Sequence, residues 1–411
     1  MPLDLAAIGR KLAAARENSG ISQEQAAKAI GIPRSALSLI ETGDRTLSTL
    51  ELAGLAKLYG RPMVDFLQEE EGPQSDLIAL CRVSEEFASR PELQQTIQEL
   101  LNVCREGASL GQMLKRPPRQ GPPAYSVPAP KNYVDSVEQG LAVAQEERKR
   151  LDLGDAPIPD IAELLACEGI WTASSDLPNE MSGLFIRDAV IGLAIIVNKS
   201  HPNARKRFSY AHEYAHALLD RDHAISVTTR ENSKELIERR ANAFAAAFLM
   251  PETGVRELME SVRAGEPSRR TFTTYDVASE SGSEAEKRSS PGSHIINFTH
   301  PAMVAYHFEV SYQAACYRIK DLGYINRDQL TKLLEDEDRF GRPYLDLLPK
   351  GRMLYKSDSD GHELEEQLVP LVIDALRAEE ISESKARSIA KTLGLGRDKI
   401  ETILALGEAV Q

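Results

Sequence analysis

Arg207-Phe208-Ser209-Tyr210-Ala211-His212-Glu213-Tyr214-Ala215-His216 is the stretch on which the reading of this chain turns. It contains the pattern His-Glu-x-x-His. Residues four apart on a helix lie one turn above each other on the same face. His212 and His216 can therefore aim two imidazole nitrogens at one ion. Glu213 is rotated about a quarter turn from them, beside the ion rather than on it. That is where a general base must stand to take a proton from a water activated by a metal.

Working outward, Met181 to Ile186 and Val190 to Asn198 read as two buried strands around an Arg187-Asp188 turn, with a shorter strand at Gly169 to Thr172. The second long strand leads through His201-Pro202 into the metal helix. A strand so placed is expected to lay out a substrate chain by backbone pairing. Tyr133 to Leu151 and Ile161 to Cys167 read as helices. After the metal helix, Asp220-Arg221-Asp222-His223 opens a polar loop. Glu235 to Pro251 is alanine-rich and ends on a proline, which predicts a helix packed closely on its neighbours. A carboxylate on it can complete a two-His, one-Glu site and leave a fourth position for water. Glu238 shares a face with Ala241, Asn242 and Ala245, small residues that permit close approach. Glu235, one turn earlier, is the second candidate.

These two motifs, Arg207-Phe208-x-x-Ala211-His212-Glu213-x-x-His216 and Glu238-x-x-Ala241-Asn242-x-Phe244-Ala245 running to Leu249-Met250-Pro251, resemble the ImmA/IrrE family of zinc metallopeptidases over residues 135–262. The resemblance implies His212, His216 and Glu238 as zinc ligands and Glu213 as general base. It also implies cleavage of a Cro-type repressor, relieving transcription of mobile-element or DNA-damage genes. Tyr214-Ala215 stands where that family usually has Leu or Ile followed by Gly, with little mechanistic consequence expected. Manganese could replace zinc, since two imidazoles and a carboxylate accept either ion.

Residues 1–68 read as five short helices. Ile8, Leu12 and Ala15 recur at helical spacing; Ser22 with Gln25 is a capping-box arrangement; Pro33 sits at a helix start and Gly43 at a helix end. Leu50, Leu55 and Leu58 are expected to face inward from a fourth helix. Ile21-Ser22-Gln23-Glu24-Gln25-Ala26-Ala27 and Gly31-Ile32-Pro33-Arg34-Ser35-Ala36-Leu37-Ser38-Leu39-Ile40-Glu41-Thr42-Gly43 resemble the Cro/phage-repressor (Xre-type) helix-turn-helix family. The resemblance places Arg34, Ser35 and Ser38 at base edges in the major groove and Gln23 at a phosphate. This segment is nearly balanced in charge, so it supplies little counterion-release affinity, and a homodimer is expected to hold operator DNA.

The whole chain has 411 residues and a net charge of −13, enough length for several domains and too acidic to coat nucleic acid along its length. Cys81, Cys104, Cys167 and Cys316 show no C-x-x-C spacing, which fits a reducing cytoplasm. No signal peptide or membrane span is expected. The fold class expected is α+β, mainly helical. The division expected is a helix-turn-helix domain at 1–68, a helical connector or dimerisation element at 69–114, and a proline-rich linker at 115–131. A zinc-peptidase core at 132–262, a flexible Ser/Glu/Gly-rich insert at 263–293 and a helical region at 294–411 follow. Ile381 to Leu395 echoes the second helix and turn of the N-terminal motif, though a plain helical interaction unit fits it better. His294, His300 and His307 are read as surface or core residues rather than oxyanion ligands.

The function expected is a DNA-binding transcriptional regulator with zinc metalloprotease activity. Its substrate would be an exposed, extended protein segment: a separate helix-turn-helix repressor, or this chain's own linker or insert. Two alternatives stand beside it: a transcription factor whose metal is structural or sensory, and an antitoxin-like partner protein.

Overall fold

The computed structural model describes residues 5–19, 21–59, 63, 66, 90–221, 225–229, 235–262, 264, 269–276, 281–288, 295–349 and 362–408. It is mainly helical, with one four-stranded sheet and a separate hairpin. The N-terminal unit comprises α1 (Leu5–Asn18), α2 (Gln23–Ala29), α3 (Arg34–Thr42) and α4 (Thr49–Leu58). Ser22 and Ser48 each close a capping box, with Gln25 and Glu51, which satisfies the free N–H groups opening α2 and α4. The core of this unit is Ile8, Leu12, Ala26, Leu37, Ile40, Leu52, Leu55 and Phe66. Leu50 is not in it: its side chain is 85% exposed. The inward stripe of α4 runs through Leu52, Leu55 and Ala56, and a residue two before Leu52 is turned about 200° away from that stripe.

α5 (Pro91–Met113) follows; the first part of the expected connector, residues 69–89, where Leu77, Leu80, Val83 and Phe87 recur at helical spacing in the sequence, lies outside the described residues. Next come α6 (Tyr133–Arg150), α7 (Ile161–Cys167), β1 (Ile170–Ser175), β2 (Met181–Asp188), β3 (Gly192–Asn198), α8 (Asn203–Leu219), β4 (Ile225–Thr229), α9 (Leu236–Leu249) and α10 (Glu252–Ser261). The strand order is β1-β3-β2-β4, with β1 parallel to β3 and the other pairs antiparallel. Two expectations change here. The polar loop after the metal helix contains β4, and the β-branched run Ile225, Val227, Thr228 and Thr229 is its sequence signal. The strand expected to receive a substrate chain, β3, is hydrogen-bonded to β1 on one side and β2 on the other. Its ladder groups are already paired, so an added strand could join only at an outer edge, β1 or β4.

The sheet divides its side chains by their period of two. Ile170, Phe185, Leu193, Ile195 and Val197 point into one core, beside α6, α8 and α9. Trp171, Leu184, Ile186, Ala194 and Ile196 point into a second. Burial on both faces is why Leu193 to Val197 is apolar without alternation. The second core is closed by α5 and by α15 (Glu363–Arg377), α16 (Glu383–Thr392) and α17 (Arg397–Glu408). The stripe Leu93, Ile97, Leu101 and Cys104 of α5 is thus buried within the chain itself.

The proline-rich stretch 115–131 runs along this body. Arg119 stacks on the Trp171 ring at 3.6 Å, the Tyr125 N–H donates to Leu218 O at 2.8 Å, and Arg221 donates to Pro122 O. Within 263–293, where no regular structure is expected, Arg269–Asp276 (β5) and Ser281–Arg288 (β6) form an antiparallel hairpin. The Thr-Phe-Thr-Thr-Tyr run of β5 has the β-branched and aromatic content that strands favour. Downstream, α11 (Thr299–Phe308), α12 (Tyr312–Asp321, capped by Ser311), α13 (Arg327–Glu335) and α14 (Arg342–Leu347) complete the first core.

Candidate metal centre and helix-turn-helix face

α8 is buried along most of its length, packed between the sheet and α9. Its two histidines therefore face protein, not solvent. α9 packs beside it with Ala241 and Ala245 buried in the same core, small residues that permit close approach. α9 is in turn pressed onto α6 at Gly140, where an added Cβ would lie 2.5 Å from the Arg240 carbonyl oxygen. Only glycine allows that approach.

This packing brings His212, His216 and Glu238 together, the one such cluster of possible metal ligands among the described residues. His212 Nε2 lies 3.1 Å from Glu238 Oε2 and 3.2 Å from His216 Nε2, and His216 Nε2 lies 3.5 Å from Glu238 Oε1. Ligand bonds of 2.0–2.2 Å in tetrahedral geometry give edges of about 3.3–3.6 Å. The two imidazole nitrogens and the Glu238 carboxylate are thus spaced close to the way ligands of one small ion are, and this donor set suits zinc or manganese. Glu235, the second candidate, is the N-cap of α9 and exposed, outside the cluster.

The opposite ring nitrogens are held as well. His212 Nδ1 is 3.0 Å from Asn242 Oδ1, and His216 Nδ1 is 3.0 Å from Asp220 Oδ2. Oxygen acceptors at Nδ1 place the proton there and leave Nε2 with a lone pair for a metal. Asp220 is itself paired with Arg240. Asp220 stands four residues after His216, the same i, i+4 spacing that aligns the two histidines, a signal that the sequence reading passed over; Asn242, on a different helix, carried no such signal toward His212. Electrostatics follow from this crowding. Burial alone would lower the pKa of His216, but hydrogen bonds to Asp220 and Glu238 reverse that and push it up to about 10. Burial would raise Glu238, but the two histidines hold it down to about 2. The pocket therefore favours positive charge.

Glu213 is buried next to this cluster, and Gly183 of β2 makes room for it. A Cβ at Gly183 would meet Glu213 Cγ at 3.1 Å, Glu213 Oε1 at 3.2 Å and Ile196 O at 3.1 Å. Tyr214, facing the other way, is buried against Phe244 and Phe248, and its hydroxyl donates to Glu147. Tyr125 and Arg150 bond the same carboxylate. Tyr214 thus serves the packing of α8. On the sheet side, Tyr210 and Ser174 donate to Glu363 of α15 at 3.2 and 3.0 Å, joining the metal helix to the second layer.

In the N-terminal unit, Arg34 and Ser35 at the start of α3 are exposed and Ser38 is half-buried. Gln23 is turned differently: its amide donates to Glu41 Oε2 at 2.7 Å. Glu41 also takes Arg16 Nε at 2.7 Å and Arg16 Nη2 at 3.1 Å, a buried bidentate pair that ties α1 to α3. Sequence reading missed this pair. His300 bonds the backbone at Asn297 and His307 lies edge-on to Phe308, local contacts consistent with their reading as surface or core residues; His294 lies outside the described residues.

Comparison with known proteins matches both halves. The model of the peptidase family M78, described as the IrrE N-terminal-like domain, matches residues 165–272, and a helix-turn-helix model matches residues 12–66. Curated relatives are the HTH-type transcriptional regulators PuuR of Escherichia coli K12 and of Shigella flexneri. Each is 29% identical over 119 residues, covering 26% of this chain and 64% of the relative. The chain thus spans under two thirds of the length of these relatives. A solved structure, Bacillus thuringiensis PlcR in complex with the peptide PapR7 and DNA, aligns with 98% of each chain at 14% identity and a TM-score of 0.16. Residues 12–66 are a helix-turn-helix domain, and the same chain carries an IrrE N-terminal-like domain at residues 165–272.

Proposed function

We propose that this protein is a DNA-binding transcriptional regulator whose second domain is a zinc metallopeptidase acting on a repressor-type protein. One observation carries the reading: the convergence of His212, His216 and Glu238, with both Nδ1 atoms held and Glu213 alongside. A zinc ion held by His212, His216 and Glu238 would supply Lewis acidity toward the scissile carbonyl and would make the attacking water easier to deprotonate. The chain's own residues do the rest. Glu213 accepts a proton from the attacking water and returns it to the leaving amine nitrogen. Burial of the four side chains keeps bulk water from competing with these transfers. A substrate strand would add to the outer edge of β4, since β4 pairs with β2 beside Gly183, the residue against Glu213.

The helix-turn-helix domain would present Arg34, Ser35 and Ser38 of α3 to a major groove, with Gln23 oriented by Glu41 near a phosphate. A homodimer in the cytoplasm fits the weak charge of this unit and the free cysteines at 104, 167 and 316. No helix among the described residues is long and apolar enough to cross a membrane. The test is metal analysis of the purified protein together with incubation against helix-turn-helix proteins encoded nearby, using Glu213→Gln as the control. Cleavage by wild type and not by the variant, with equal metal content, is the expected result; no metal and no cleavage would sink the enzyme reading. The burial of all four site residues favours one second reading, a metal that holds the fold or senses a signal. In that case Glu213→Gln changes nothing.

A further inference from the structure

Helix α9 bears on every ligand of the candidate centre. It contributes Glu238, and it holds His212 through Asn242. Its third contribution is indirect. Arg240 reaches Asp220, the C-cap residue of α8, and Asp220 reaches His216 Nδ1 at 3.0 Å. Asp220 has one carboxylate oxygen on the histidine and the other on the guanidinium. Its backbone N–H also bonds His216 O at 2.9 Å, so it is fixed from both its main chain and its side chain. Arg240 is anchored in turn by Gln139 of α6 at 3.2 Å. All three of His216, Asp220 and Arg240 are buried. A buried guanidinium this close to a metal cluster is costly unless its charge is answered, and Asp220 answers it.

We infer that Asp220 and Arg240 are positioning residues for the metal centre. Asp220 fixes the ring orientation and tautomer of His216 and increases its donor strength, and Arg240 fixes Asp220. This rests on the metal-site reading above and adds to it two residues that touch no ligand position themselves. Outer partners of ligating histidines are worth about 10- to 100-fold in metal affinity. His212, held by a neutral amide, has no such charged support, so the two histidines are unequal ligands.

The test uses the full chain, loaded with Co2+ as a spectroscopic probe and with Zn2+ against a competing chelator. Unfolding of the metal-free protein is followed alongside. Asp220→Ala is expected to bind both ions about 10- to 100-fold more weakly and to shift the Co2+ ligand-field bands. Asp220→Asn, which keeps an acceptor and loses the charge, should fall between it and wild type. Arg240→Lys should restore most of the affinity lost in Arg240→Ala. Wild-type affinity and an unchanged cobalt spectrum in Asp220→Asn, with only the unfolding temperature altered, would overturn the inference and leave the metal site standing. Failure of the wild type to take up either ion overturns the metal-site reading, and this inference with it.

Discussion

The helix-turn-helix unit and the metal centre both rest on a buried carboxylate–guanidinium pair, Arg16 with Glu41 and Arg240 with Asp220. They use it in opposite ways. In the first, the pair locks helices from within while the residues expected to read DNA, Arg34 and Ser35, stand outside on the surface. In the second, the pair stands directly behind His216, and the residues of the candidate centre are themselves buried in the core. Stability and function should therefore separate cleanly in one region and be entangled in the other.

Four experiments bear on that contrast. The largest effect is expected from removing a ligand. His216→Ala should lose more metal affinity than the roughly 10- to 100-fold assigned to an outer partner. It should also lower stability, because Asp220 and Glu238 lose a buried partner; chelator competition and thermal unfolding measure the two. Next, Arg16→Ala leaves the buried Glu41 carboxylate without its charged partner and with only the Gln23 amide as a side-chain donor, which costs up to about 3–5 kcal/mol. Binding to every DNA sequence should fall as the unit unfolds, while Co2+ uptake stays at the wild-type level. If metal uptake fell too, the two regions would not be separable.

Gly183→Ala comes third. Its Cβ would lie 3.1 Å from Glu213 Cγ and from the Ile196 carbonyl, so Glu213 must give way by a few tenths of an ångström, and the rate should fall by less than the roughly 10²-fold that a 1 Å misplacement costs. Peptidase turnover should drop with metal content unchanged, which shows Glu213 acting beside the metal rather than on it. Arg34→Ala is the mildest. Discrimination at one base pair should fall by about 1–3 kcal/mol, and thermal stability should move by less than about 0.5 kcal/mol. A clear loss of stability would mean that the surface of α3 is not independent of the lock beneath it.

What sequence could show follows the same division. Local signals read well: the Ser22–Gln25 capping box, the i, i+4 histidines, the alanine face of α9 and the two strands before α8 all depend on residues within a turn or two. That Glu238 rather than Glu235 would lie beside the histidines was legible from the face it shares with Ala241 and Ala245. The illegible parts join residues far apart in the chain. Arg16 meets Glu41, Asp220 meets Arg240, and Ser174 meets Glu363 only after the helices have packed. The fate of α5 was hidden for the same reason. Its apolar stripe is equally suited to a connector or a dimer, and only the sheet's second face decides where it goes. Leu50 shows a lesser failure, a leucine counted into a stripe that the helix phase turns outward.

The second face of the sheet carries a consequence for how the chain is made. It is covered by α5, near residue 100, and by α15 to α17, beyond residue 363. During synthesis the helix-turn-helix unit, whose contacts are local, can fold as soon as it emerges. The sheet cannot do the same. Trp171, Leu184 and Ile186 must wait with one side uncovered until the last helices have been translated, and α5 must wait with them. Nascent chains are thus most vulnerable to aggregation and proteolysis late in translation, with the helix-turn-helix head already formed and the sheet-bearing body still open. Stalling translation before residue 363 should yield a chain that binds DNA and is cut rapidly by added protease across 91–349.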